Sequence, residues 1–162
     1  MGAPTACESA GVPNVSYNGS TVAACPNTFI VSSKIDWAPY FEYIVNCVAN
    51  GEAISADWCK GIEEGSVVLT ELNDAVAAEG TAEAIAEAEE KLISGELHVF
   101  DPSVFTVDGE TVESYMADVD TDADYTPDTE VISDGYFHES EMRSAPYFDL
   151  RIDGITTLNE MF

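Results

Sequence analysis

Basic residues are the scarcest resource of this 162-residue chain: five Lys and Arg stand against 31 Asp and Glu, for a formal net charge of −26. A surface this negative repels phosphate backbones and anionic lipid headgroups, which argues against nucleic acid or a charged membrane surface as a direct partner. Long hydrophobic runs are missing as well. No stretch of about 18 apolar residues exists, so no transmembrane helix is expected. Met1 to Ala6 has neither the basic start nor the apolar centre of a signal peptide. Cysteine is sparse, and Cys7, Cys25, Cys47 and Cys59 contain no Cys-x-x-Cys. The two histidines, His98 and His138, lie far from them, which excludes the usual zinc spacings. Two disulfides can be drawn in three ways, and the spacing does not choose among them. Enzyme signatures are absent too: no Gly-x-Ser-x-Gly elbow, phosphate loop, His-Glu-x-x-His or dinucleotide glycine fingerprint. Carboxylate pairs abound, but in so acidic a chain they carry no information. Neither an enzymatic activity nor a cofactor is expected.

What is present is a core-forming composition. Hydrophobic residues make up 46% of the chain, enough to exclude a disordered acidic tail and to build one domain with a real core. The organising stretch is Phe29 to Val45. Phe29-Ile30-Val31 reads as a strand, and Asp36 and Pro39 mark the start of a helix. Phe41, Ile44, Val45 and Val48 recur at helical spacing, predicting a buried stripe, and Asn50-Gly51 stops the helix. A joint of this kind ordinarily does no more than cap its own helix. Its polar residues Ser32, Ser33, Lys34 and Asp36 are nonetheless where a ligand could be gripped. Upstream, Gly11-Val12-Pro13 turns into a short strand ending at Tyr17, followed by the polar turn Asn18-Gly19-Ser20. A strand ending in such a loop is where open α/β sheets place ligands. The Asn-x-Ser triplets at Asn14 and Asn18 are read as ordinary loop residues.

Downstream, Ser66 to Leu72 reads as a strand and Thr81 to Ser94 as a second helix stopped by Gly95. Leu97 to Phe100 reads as a strand, and Phe105 to Val112 as a hairpin around Asp108-Gly109. From 113 to 134 the chain becomes strongly acidic. Asp118, Asp120, Asp122 and Asp124 alternate as in a calcium loop. Ala123 and Thr129 stand where an EF-hand needs Gly and the bidentate Glu, so a solvated acidic loop is the primary reading and calcium a weak candidate. His138, Glu139 and Glu141 have metal-ligand chemistry without a spacing that fixes a geometry, and no metal is assigned. Residues 135–162 regain aromatic and aliphatic side chains and are expected to pack back on the body.

Several of these stretches, in order, resemble one family. Ile30-Val31-Ser32-Ser33 with Asp36-Trp37 and Pro39-Tyr40, then Lys60 to Leu69, Leu72 to Val76, Thr81 to Ser94 and Ser94 to Phe100, are similar to the basic membrane protein family. Its members are solute-binding lipoproteins of ABC importers with the type I periplasmic-binding-protein fold. The similarity covers roughly residues 10–110. It implies an α/β fold, two-lobed and three-layered (αβα), of which this chain is only the C-terminal part. Residues 1–112 would be the C-terminal portion of the solute-binding domain, spanning both lobes at the hinge. Residues 113–134 would form an acidic loop and 135–162 a tail.

The resemblance further implies a non-enzymatic receptor that captures a small polar metabolite, a purine nucleoside by family habit, in a cleft between lobes. It would deliver this solute to ABC permease subunits. The whole protein would be extracytoplasmic, at the cell surface or in the periplasm, and lipid-anchored through the missing N-terminal half. The ligand-binding residues implied are Asn18, Ser20, Lys34, Asp36 and Trp37. Asn18 stands where the family carries an aspartate that holds sugar hydroxyls; the amide still donates and accepts but lacks the strengthening charge. Ser20 falls on a second aspartate of that loop. Lys34 lies near a pocket lysine, offset by one residue. Asp36 caps the helix first and contacts ligand second. Trp37 matches one branch of the family and either stacks on a base or packs the helix start. The alternative function is a calcium-stabilised extracellular interaction domain built on Asp118–Asp128.

Overall fold

Strand β2, Phe29–Ile35, is the centre of a three-stranded sheet with β1, Asn14–Tyr17, on one side and β3, Val67–Leu69, on the other. The computed structural model describes residues 2–156 of the chain. β1 runs parallel to β2, with Tyr17 opposite Ser33, and β3 runs antiparallel, with Lys34 opposite Val68. Phe29, Val31 and Ser32 of β2 are buried, whereas Lys34 and Ile35 at its far end are exposed. The central strand is thus anchored at its start and open at its carboxyl end.

The helices start and stop where the local chemistry places them. Helix α2, Ala38–Asn50, has Pro39 in its first turn, and the Ala38 amide donates to Asp36 Oδ1 at 2.9 Å. Asp36 therefore caps the first turn from just outside it, while Trp37 takes the boundary position. Gly51 closes the helix at φ 70°, a left-handed conformation that suits glycine. Helix α3 spans Thr81–Ser94 and ends at Gly95, φ 73°. A further helix, α1, Gly2–Ala10, carries no periodic apolar stripe and was not expected. The Glu8 carboxylate fastens it to the sheet by accepting from Thr28 Oγ1 (2.7 Å), Asn27 Nδ2 (2.6 Å) and the Asn27 amide. These bonds, the Thr28 hydroxyl first, hold the Glu8 carboxyl below the ordinary carboxylate range.

The buried stripe expected on α2 is overturned. Phe41, Val45 and Val48 are 60, 65 and 68% exposed, and Cys47 is the one buried residue of the helix. The periodicity is genuine, but among the described residues no layer covers that face. α3 likewise has no buried residue, although Ile85, Ala88 and Leu92 are half-covered. All four cysteines are free thiols.

The described chain divides into two compact units: residues 2–55 with 60–97, and residues 56–59 with 98–156. The first contains the sheet and α1 to α3. The division falls at Leu97–His98. The second unit is built from short ladders. β4, Met116–Ala117, pairs with β5, Thr129–Glu130, and β6, Ile132–Ser133, pairs with β7, Tyr136–Phe137. Its core joins Ala117, Val119, Val131, Phe137 and Tyr147, with Phe100 and Phe148 stacked beside them at 4.7 Å. The segment read as a tail packs into this core through Phe137 and Tyr147, and the segment read as a solvated acidic loop supplies Ala117, Val119 and Val131; residues 157–162 of the tail lie outside those described.

Leu97–Phe100 is not a strand. Among the described residues no ladder pairs with it; the Phe100 carbonyl accepts one bond from the Phe137 amide, and Pro102 opens a 3-10 turn capped by Asp101. The Asp108-Gly109 turn does form, closed by two bonds between Val107 and Glu110, with both central residues at positive φ. Asp153 braces it, accepting from Thr106 Oγ1 (2.6 Å) and the amides of Gly109 and Asp108.

Replacing Phe29, which is 0% exposed, with Ala should cost about 3–5 kcal/mol, read as a lowered denaturation midpoint. Acid should loosen the second unit. Asp153 and Glu130 are both held below the ordinary carboxylate range, Asp153 by the Thr106 hydroxyl first and Glu130 by the Ser114 hydroxyl first. Their folded values are depressed. The stability they contribute is therefore complete above roughly pH 4, the unfolded carboxylate range, and is lost as pH falls through the folded values. Amide exchange at Gly109 and Tyr115, measured down a pH series, should show local opening in that window.

Candidate functional site

A parallel strand pair puts both carboxyl ends on one edge of the sheet, and this brings the expected ligand residues together. The turn that leaves β1 contains Asn18 and Ser20; the end of β2 carries Lys34, followed at once by Asp36 and Trp37. Because Tyr17 faces Ser33, the step to Asn18 and the step to Lys34 leave the ladder at the same level. Four backbone and side-chain devices hold this edge. Asn18 adopts φ 62°, a left-handed conformation that asparagine tolerates better than most residues. The Gly19 amide donates to Ser32 Oγ at 3.1 Å. Ser32 Oγ in turn donates to the Ser33 carbonyl at 2.8 Å. On the other flank, the Asp36 amide donates to the Ser66 carbonyl, joining the end of β2 to the entry of β3.

The individual residues divide by role. Ser32, grouped with the ligand-gripping joint by sequence, is fully buried and holds the loop rather than facing solvent. Ser20 Oγ accepts from the Val22 amide, a local turn bond, and the residue is exposed. Asn18 and Lys34 are exposed. Lys34 makes no ion pair among the described residues, whereas Lys60 and Lys91 pair with Glu64 and Glu87 at helical spacing. An unpaired ammonium in a chain of this charge is a rare donor left available. Asp36 serves the helix start. Trp37 is 56% exposed and lies edge-on to Tyr40 with ring centroids 6.1 Å apart, and 6.5 Å from Phe41. It therefore packs the helix start with one part of its surface and leaves the rest open. The edge offers hydroxyl and amide hydrogen bonding, one positive charge and an aromatic face. That combination suits a small polar ligand with a flat ring.

A separate apolar groove of about 440 Å³ lies between the start of α1, at Gly2 to Pro4, and β1, with Thr21 at its rim. None of the five expected ligand residues lines it.

No protein-family model and no curated protein matches the chain.

The calcium candidates are not brought together. Asp120 Oδ1 accepts from the Asp122 amide and Asp122 Oδ1 from the Asp124 amide, each carboxylate folding back on its own turn. Asp118 instead faces Arg143 at 3.8 Å. Among the described residues no group of three or more His, Cys, Asp or Glu side chains is placed to hold a metal ion.

Sequence reasoning singled out His138 and Glu141, with Glu139, but missed Ser133, which joins His138 and Glu141 in one polar constellation in the second unit. Its signal was the Asp134-Gly135 dipeptide between Ile132-Ser133 and Tyr136-Phe137, which marks a tight hairpin and turns Ser133 back towards His138.

Replacing Ser32 with Ala should leave the Gly19 amide without its buried acceptor. The expected result is a loss of about 1–3 kcal/mol and faster amide exchange at Gly19, with the β2–β3 ladder unchanged.

Proposed function

We propose that the chain is the C-terminal part of a solute receptor of the type I periplasmic-binding-protein kind, serving an ABC importer. It captures a small polar metabolite, a purine nucleoside by preference, at the carboxyl end of the β1–β2 pair. The observation that carries this reading is the parallel pairing that sets the Asn18–Ser20 turn beside the Lys34–Trp37 segment, the position where open α/β sheets bind ligands. The uncovered apolar faces of α2 and α3 add to it, because a lobe that shares its layers with another segment leaves such faces open when seen alone.

In this reading Lys34 and the Asn18 amide bond the hydroxyls of the solute, and Trp37 stacks on its ring. The second lobe closes over the ligand, and the closed form is the one the permease recognises. At this edge the chemistry is recognition alone, with no bond made or broken. The protein works outside the cytoplasm, held to a membrane by a lipid anchor on the partnering lobe.

The test uses the protein in its full genomic form. Purine nucleosides at 100 times their dissociation constant should raise its stability by about 2.7 kcal/mol, measured by thermal denaturation. Lys34→Ala and Trp37→Ala should each weaken binding at least about tenfold, Lys34→Ala while leaving the unliganded midpoint unchanged. No shift with any nucleoside or small polar metabolite would overturn the proposal.

A further inference from the structure

The β6–β7 hairpin turns through Asp134 and Gly135, at φ 51° and 89°, the left-handed pair that a two-residue hairpin requires. Ser133 therefore stands opposite Tyr136. Strand alternation sends Phe137 into the core and puts Tyr136 and His138 on the other face, the face shared by Ser133. The result is a linear relay. His138 Nε2 lies 2.8 Å from Ser133 Oγ, and His138 Nδ1 lies 2.7 Å from Glu141 Oε2. The imidazole is firmly held. Its ring lies 3.9 Å from that of Tyr136, which is itself stacked on His98 at 3.6 Å and 4°. The buried Tyr147 hydroxyl donates to the His138 carbonyl and accepts from the Glu141 amide at 3.2 Å, fixing the two segments that carry base and carboxylate.

We propose that Ser133, His138 and Glu141 form an acyl-transfer site for small carboxylic esters. A hydroxyl on one imidazole nitrogen and a carboxylate on the other is the arrangement that activates a serine, and such a site is recognised by these distances and not by sequence order. Ser133 Oγ attacks the ester carbonyl carbon. The Oγ–C bond forms as the hydroxyl proton passes to His138 Nε2, and Glu141 holds the imidazolium. The C–O bond to the alcohol then breaks, and that alcohol leaves with the proton. A water, deprotonated by His138, then attacks the acyl carbon; the C–Oγ bond breaks, His138 returns the proton to Ser133 Oγ, and the acid leaves. The Ser133 carbonyl, 3.3 Å from Nε2, is a second acceptor for the imidazolium proton between these steps. The Asp134 and Gly135 amides make no hydrogen bond among the described residues, and the first belongs to the residue after the nucleophile, a position that donates to oxyanions in other acyl-transfer sites. The net charge of −26 selects neutral or cationic esters over anionic ones. This activity is independent of the receptor reading and stands or falls without it.

The full chain should be treated with a fluorophosphonate, whose phosphorus takes the serine oxygen as fluoride leaves, and the adduct mapped by peptide mass. A single adduct at Ser133 is expected, absent in Ser133→Ala. His138→Gln should slow adduct formation at least about 100-fold, and Glu141→Gln at least about tenfold. Hydrolysis of p-nitrophenyl acetate should show an initial burst that Ser133→Ala abolishes, separating the serine from any direct attack by imidazole. Ser133 is exposed, so its substitution tests chemistry and not folding; circular dichroism confirms that each variant is folded. No adduct at Ser133 in the folded wild-type chain, or an adduct rate unchanged by His138→Gln, would overturn the proposal.

Discussion

The first unit depends on the burial of one end of β2. Phe29, Val31 and Ser32 take the interior of the sheet, and the pairings on either side are hung on that strand. Asn73 secures the same point from a distant part of the chain: its Nδ2 donates to the carbonyls of Pro26 and Phe29 at 3.0 and 2.8 Å. Each such bond is worth roughly 0.5–1.5 kcal/mol net, and together they fix where β2 begins. The pairing with β1 shifts register between Asn14 and Ser16, and the shifted register, with Ser16 opposite Ser32 and Tyr17 opposite Ser33, determines which residues stand at the carboxyl end.

The second unit solves a different problem. Its strands are two residues long, too short for ladders to hold alone. Aromatic packing around Phe137 replaces them, with Tyr115, Phe148 and Tyr147 rings between 4.9 and 6.1 Å from it. Polar side chains then close the loops that the ladders cannot. Tyr115 illustrates the cost to titration: its bond to Asp149 favours the neutral phenol and pushes its pKa up to about 12.

What was legible in the sequence follows from locality. The start of β2, the stops of α2 and α3 at Gly51 and Gly95, and the turn at Asp108-Gly109 depend on neighbours a few residues away, and each was readable; the strand itself runs on through Ser32, Ser33 and Lys34, which sequence assigned to the joint, to Ile35. The expected α/β class agrees with the mixed helix and strand content. The burial of α2 was not readable, because the spacing of Phe41, Val45 and Val48 says that a face is apolar and not that anything covers it. The strand at Leu97–Phe100 failed for a related reason: β-forming side chains need a partner strand, and no ladder reaches them. In the acidic segment, alternation suggested a cage, but Asp120 and Asp122 each accept a nearby backbone amide and Asp118 faces Arg143. The ligand residues were legible as a loop and a strand end; their meeting on one edge required the parallel register, which no local pattern encodes.

The central claim, that the carboxyl edge of the β1–β2 pair is a binding site, is tested most directly by amide hydrogen exchange of the full genomic protein with and without a purine nucleoside. The account predicts simultaneous protection of Asn18 to Ser20 and of Lys34 to Ala38, two segments linked only by that edge. Binding that protects neither segment, or protects the Asp118–Asp128 loop instead, would contradict it.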